Sequence, residues 1–190
     1  AGGAAGGCTV LLENKTGFHV STTHCLEGER VGAALIASCT HVNFEKLGKV
    51  FLLPLILSPV LAIVISMLSW LLLRKLLTQS TRSLTVAHCA TAGIVSFARG
   101  LNDTPKLVSL LLVCHLFSLP VNFLLLSIVM AIGGWMNAKK VADTLGNKIT
   151  TLSHAQGFSA NFITGILVII ASLYGLPVST THVSVGSIYG

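Results

Sequence analysis

Thr16-Gly17-Phe18-His19-Val20-Ser21-Thr22-Thr23-His24, near one end of the chain, returns near the other end as Tyr174-Gly175-Leu176-Pro177-Val178-Ser179-Thr180-Thr181-His182. Both copies carry a polar Val-Ser-Thr-Thr-His core. Downstream, Gly28 answers Gly186 and Gly32 answers Gly190. Polar hydroxyls flanked by glycines are costly to place between apolar stretches in lipid. A motif of that kind made twice points to a paired ion or substrate site, formed by two related halves of the chain.

The composition fixes the solvent. Of 190 residues, 53% are hydrophobic and only 9% are charged, and the mean hydropathy is +0.83. Soluble domains carry about 25% charged residues, so this chain has too little charge to cover itself in water. Val50 to Leu73 has no charged residue and exceeds the roughly 20 residues that cross a bilayer as helix. Leu107 to Ala138 is also uncharged, with Pro120 as its expected break. Val86 to Ala98 and Phe158 to Leu173 are shorter and run into glycine-marked polar sequence, the pattern of discontinuous membrane helices.

The net charge of +6 does not indicate nucleic acid. The basic residues gather as Arg74, Lys75 and Arg82 after one apolar run and as Lys139, Lys140 and Lys148 after another. That distribution places both loops on the cytoplasmic face. Two crossings then lie between them, expected to turn at the polar Gly100–Lys106 stretch. Ala138 to Lys148 is expected as an amphipathic surface segment. Cys8, Cys25, Cys39, Cys89 and Cys114 show no C-x-x-C spacing and read as small buried hydrophobes. His41, His88, His115 and His154 show no ligand-like clustering, so no transition-metal site is expected.

Asp103 is the only acidic residue between Glu45 and Asp143. A carboxylate beside an apolar block needs a cation, a proton or strong hydrogen bonds. Gly100 and Pro105 predict a helix break there. Freed carbonyls with Asn102 and Asp103 suit a hard cation such as sodium, freed amides suit an anion, and a plain interfacial turn with a solvated Asp is the third reading. The Ser-Thr-Thr clusters divide in the same way. They cradle an oxyanion at a helix N-terminus or simply cap it. Two near-identical copies favour the cradle. His24 and His182 follow both clusters, as a proton relay or as residues that orient the loop.

These residues resemble the inorganic phosphate transporter (PiT, phosphate permease) family. Gly175-Leu176-Pro177-Val178-Ser179-Thr180-Thr181-His182 with the later Val185-Gly186-Ser187 is similar to its C-terminal signature. Phe97-Ala98-Arg99-Gly100-Leu101-Asn102-Asp103 resembles its Gly-Ala-Asn-Asp-Val-Ala-Asn signature, and Asn43 to Ala62 and Lys139 to Phe158 resemble its linking segments. The resemblance covers nearly all of residues 16–190.

The resemblance implies an all-α membrane protein, an inverted-repeat secondary transporter with broken, re-entrant helices, multi-pass in the cell membrane. Residues 1–77 would be the C-terminal part of the first repeat and 78–190 the second. Inorganic phosphate would be held by Ser21, Thr22, Thr23, Asn102, Asp103, Ser179, Thr180 and Thr181. Sodium or protons would drive its symport, with Asn102 and Asp103 at the cation. The two motif copies are expected at similar depth near the membrane midplane, across a pseudo-two-fold axis. A homodimer is a further expectation. No cofactor beyond the coupling ion and no enzyme activity are implied, since Ser and His three residues apart without a third orienting group make a weak nucleophile. Sulfate or arsenate as the anion, and a membrane piece that does not itself transport, are the alternatives.

Departures from the family pattern are specific. Pro105 and Lys106 stand where the signature has Ala-Asn, which removes an amide from a cation site. Arg99 precedes Gly100, and His19 stands opposite Pro177. The first repeat lacks an Asn-Asp motif of its own, so the chain reads as a piece without the start of that repeat and without a closing helix.

Overall fold

Four of the five prolines govern where helices begin and whether they survive. Pro54 is the second residue of one helix, just after a π-helical turn, and Pro59 lies inside the same helix. Pro120 is the second residue of another. Pro105 lies within a third, which continues through it. A computed structural model describes residues 7–9, 11–12, 21–37, 43–75, 82–113, 117–143 and 152–190. The expectations on Thr16–Val20, His41, Cys39, Cys114, His115 and Lys148 lie outside the described residues.

The helices are α1 (Thr22–Ala37), α2 (Phe44–Leu47), a π-helical turn (Gly48–Leu52) leading into α3 (Leu53–Leu73), α4 (Arg82–Val113), α5 (Leu119–Asp143), α6 (His154–Leu173) and α7 (Thr180–Tyr189). No strand occurs among the described residues. Four stretches are long and apolar enough to cross a membrane: Gly48–Leu73, Arg82–Leu112, Leu119–Met136 and His154–Leu173. In α3 the buried face is Leu55, Ser58, Ala62 and Ser66, mostly small. Ile56, Val60, Met67 and Leu72 are exposed. Small residues inward and large apolar residues outward is the pattern of a helix solvated by lipid, where close backbone approach supplies the packing.

Two expectations are corrected. The helix does not break at Gly100–Lys106; α4 runs from Arg82 to Val113 without interruption. Pro105 removes the N–H that would meet the Leu101 carbonyl and crowds that carbonyl with its ring, and the neighbouring turns of a long helix absorb one such loss. The two stretches long and apolar enough to cross between the basic groups are therefore Arg82–Leu112 in α4 and Leu119–Met136 in α5. The second correction concerns the cysteines: Cys8 and Cys89 are exposed and Cys25 is half-buried, on helix faces that a lipid solvent can cover as well as a protein core can. The described part of the surface segment expected from Ala138 is the end of α5, which extends to Asp143.

Packing forms two compact units, residues 1–102 with 154–190, and residues 103–153. In the first, Ala62, Ala98, Val168 and Val183 make the buried core, with Leu167 and Ile169 against it. Glycines let the backbones approach. A Cβ on Gly186 would stand 2.8 Å from the Pro59 carbonyl oxygen and 3.1 Å from the Ala62 Cβ, and Gly190 abuts Ile63. Ser66 Oγ, from α3, donates to the Ser187 carbonyl of α7 at 2.6 Å. The matching glycines of α1 differ: around Gly28 and Gly32 a Cβ meets no atom within 4 Å. In the second unit, Thr104 Oγ1 donates to Met130 Sδ at 3.7 Å, tying the end of α4 to α5.

Candidate functional site

The second motif is built by a helix stop followed by a helix start. Gly175 takes φ +65°, a left-handed conformation that favours glycine. Its N–H meets the Ser172 carbonyl at 3.1 Å, and Leu176 N–H meets Ala171 at 2.9 Å. This paired closure ends α6. Pro177 prevents resumption, and the chain stays non-helical to Ser179. Ser179, at φ −87° and ψ 108°, caps α7 by accepting from His182 N–H at 3.2 Å. Ser21 caps α1 in the same way, accepting from His24 N–H at 3.3 Å.

The repeated serines are therefore N-caps in both copies. Each hydroxyl uses an oxygen lone pair for the cap and keeps its own proton to donate. The His24 and His182 rings meet with centroids 4.8 Å apart and planes at 58°. The two helix N-termini thus come together, and both carry positive dipole ends and amides without intrahelical partners.

Between them lies one acceptor. Thr23 Oγ1 donates to the Val178 carbonyl at 3.2 Å, and Asn102 Nδ2 donates to the same carbonyl at 3.1 Å. That oxygen, itself in the second motif, joins it to the first motif and to α4. Ser21, Thr23, Asn102, Ser179 and Thr180 are all buried. Thr22 is exposed and Thr181 half-buried, so burial does not follow the repeat. In the repeat, Thr22 matches Thr180 and Thr23 matches Thr181, yet the buried pair is Thr23 and Thr180.

Asp103 falls in the second unit. Its Oδ1 lies 3.5 Å from Lys106 Nζ, and both side chains are about nine-tenths buried, at 12% and 11% exposed. Sequence reasoning noted Lys106 as a departure without seeing that its ammonium sits on the carboxylate. The Val178 carbonyl was not anticipated, and nothing in the side-chain pattern marks it. Arg99 Nε is buried without a hydrogen-bond partner. His88 and His154, which showed no clustering in sequence, lie with their Nδ1 atoms 3.3 Å apart. No cluster of three metal-ligating side chains forms among the described residues.

Four apolar helices with lipid-type outer faces, and no strand among the described residues, define an all-α, multi-pass integral membrane protein. The model of the phosphate transporter family matches residues 1–190, and the chain belongs to that family. It is 35% identical over 109 residues to sodium-dependent phosphate transporter 1-A of Xenopus laevis, covering 52% of this chain and 16% of that protein. Sodium-dependent phosphate transporter 1-B of Danio rerio is 37% identical over the same shares. The corresponding transporter 1 of Pongo abelii is 35% identical, again over 52% of this chain and 16% of the relative. The matched stretch spans about a sixth of the length of these relatives. No solved structure matches the chain. The family and these relatives are transporters, not enzymes.

Proposed function

We propose that this chain forms the binding part of an ion-coupled symporter that carries inorganic phosphate across the cell membrane. The observation that carries the reading is the meeting of the α1 and α7 N-termini, each capped by the serine of a repeated motif. Helix N-termini present amides and positive dipole ends to an anion. Ser21 and Ser179 retain a proton to donate, and Thr22, Thr180 and Thr181 add hydroxyls. Thr23 and Asn102 hold the frame through Val178 and contribute from there. The unpartnered Arg99 Nε, one helical turn before Asn102, is a further donor for an oxyanion. Asp103 follows Asn102 on α4 as the acidic residue of the expected set.

Residues 1–77 and 78–190 are read as parts of two inverted repeats, with the motifs near the membrane midplane. Sodium coupling rests on the names of the relatives, which are sodium-dependent phosphate transporters. Protons are the other candidate, with His24 and His182 in place to relay or to orient.

Phosphate binding to the full-length protein tests the reading. Thr180→Val and Thr181→Val keep shape and remove a donor. Each is expected to weaken phosphate binding roughly ten- to hundred-fold, as a lost bond to a charged group costs about 1.5–3 kcal/mol. Arsenate should compete and sulfate should compete less. Unchanged affinity in both variants would reduce the clusters to helix caps, and tighter sulfate binding would replace the substrate.

A further inference from the structure

Asp103 is a carboxylate with 8% residue exposure inside a helix read as crossing the membrane. Such a group is neutralised by a proton, by a bound metal cation or by a basic side chain. Lys106 is three residues further along α4, a spacing that puts both on one helix face. Its Nζ stands 3.5 Å from Asp103 Oδ1, and only about a tenth of either side chain is exposed. Ser109 Oγ donates to the Lys106 carbonyl at 2.6 Å within the same turn.

We propose that Lys106 is a tethered counter-ion: its ammonium holds the place where a dissociable cation would neutralise Asp103, so this carboxylate takes no sodium in this protein. A charge fixed one helical turn away is always at hand, whereas sodium must arrive from solution. To enter, sodium would also have to displace the ammonium and leave it buried without its carboxylate. Coupling to a gradient requires an ion that leaves, and a lysine cannot leave. The sodium dependence named in the relatives therefore does not extend to this position. The inference refines the phosphate-transport reading, but its primary test uses no phosphate.

That test is sodium-specific thermal stabilisation of the purified full-length protein, in sodium chloride against choline chloride at equal ionic strength. A cation that binds only the folded state raises its melting temperature. Lys106→Ala and Lys106→Asn are expected to gain a saturable sodium-specific rise of a few degrees. Lys106→Arg, which keeps a tethered cation, should gain none, and Asp103→Asn/Lys106→Asn should lose the gain. Wild-type protein should show no sodium-specific shift that Asp103→Asn removes, a comparison that stands even if a Lys106 variant fails to fold. A wild-type shift abolished by Asp103→Asn would overturn the proposal. So would absence of any gain in Lys106→Ala and Lys106→Asn, or a gain that persists without Asp103. In proteoliposomes, phosphate uptake by Lys106→Asn should become more sodium-stimulated than wild type. If no form takes up phosphate while the melting shifts behave as stated, the transport reading fails and the counter-ion assignment stands.

Discussion

Thr23 and Asn102 donate to one and the same carbonyl oxygen, that of Val178, at 3.2 and 3.1 Å. Their positions are 79 residues apart in sequence, and the acceptor belongs to neither neighbourhood. The strap entering α7 is thus positioned by a hydroxyl from one motif and an amide from α4.

Because the two bonds share an acceptor, their losses should be coupled. Thr23→Val and Asn102→Leu are each expected to cost about 0.5–3 kcal/mol of stability. The double variant should depart from the sum by more than about 0.5 kcal/mol. Unfolding in mixed detergent and denaturant measures this, and strict additivity would mean the two donors act independently.

Ser179 offers a way to separate capping from anion binding. Ser179→Ala should lose about 1 kcal/mol with the cap, and Ser21→Ala a similar amount. Ser179→Gly removes the hydroxyl but leaves a tolerated N-cap residue, so stability should fall by only roughly a few tenths of a kcal/mol. It should nonetheless weaken phosphate binding roughly ten- to hundred-fold through the lost donor. Melting temperature and phosphate affinity, measured together, should therefore diverge in Ser179→Gly and fall together in Ser179→Ala. A Gly variant that melts as early as the Ala variant would count against the cap.

The repeated glycines should answer differently to the same substitution. Gly186→Ala forces a Cβ to 2.8 Å from the Pro59 carbonyl oxygen and should cost about 1–3 kcal/mol through overpacking. Gly28→Ala meets nothing within 4 Å, and the helix propensity of alanine should make it neutral or stabilising by up to ~1 kcal/mol. Equal destabilisation at both positions would show that α1 is packed there as α7 is.

Ser66 donates at 2.6 Å to a buried carbonyl on another helix. Ser66→Ala should cost roughly 0.5–1.5 kcal/mol, and Ser66→Thr, which keeps the hydroxyl, should recover part of it unless its methyl crowds α7. Thermal stability of the two variants checks this.

Much of the architecture was readable because lipid imposes simple rules. Val50–Leu73 announced a membrane helix by its lack of charge, and Pro120 marked a helix start. Ser21 and Ser179 could be named as caps or ligands from the repeat alone. The Gly100–Lys106 stretch misled because glycine and proline punctuate short helices, while α4 is long enough to carry both. The contact of Lys106 with Asp103 follows from that continuity: in a broken helix the two would not have shared a face. Val178 was beyond reach, since a backbone carbonyl acquires two donors only through tertiary placement. The asymmetry between Gly28 and Gly186 was likewise hidden, as identical residues meet different neighbours.

The contact between the His24 and His182 rings has a consequence for how the two motifs can vary. With centroids 4.8 Å apart the imidazoles lie against each other. They stand in the first turns of α1 and α7, and each histidine's backbone N–H is held by the capping serine of its own motif. A bulkier side chain at either position would therefore press on the first turn of the other helix. The two helix starts are neighbours that must change together.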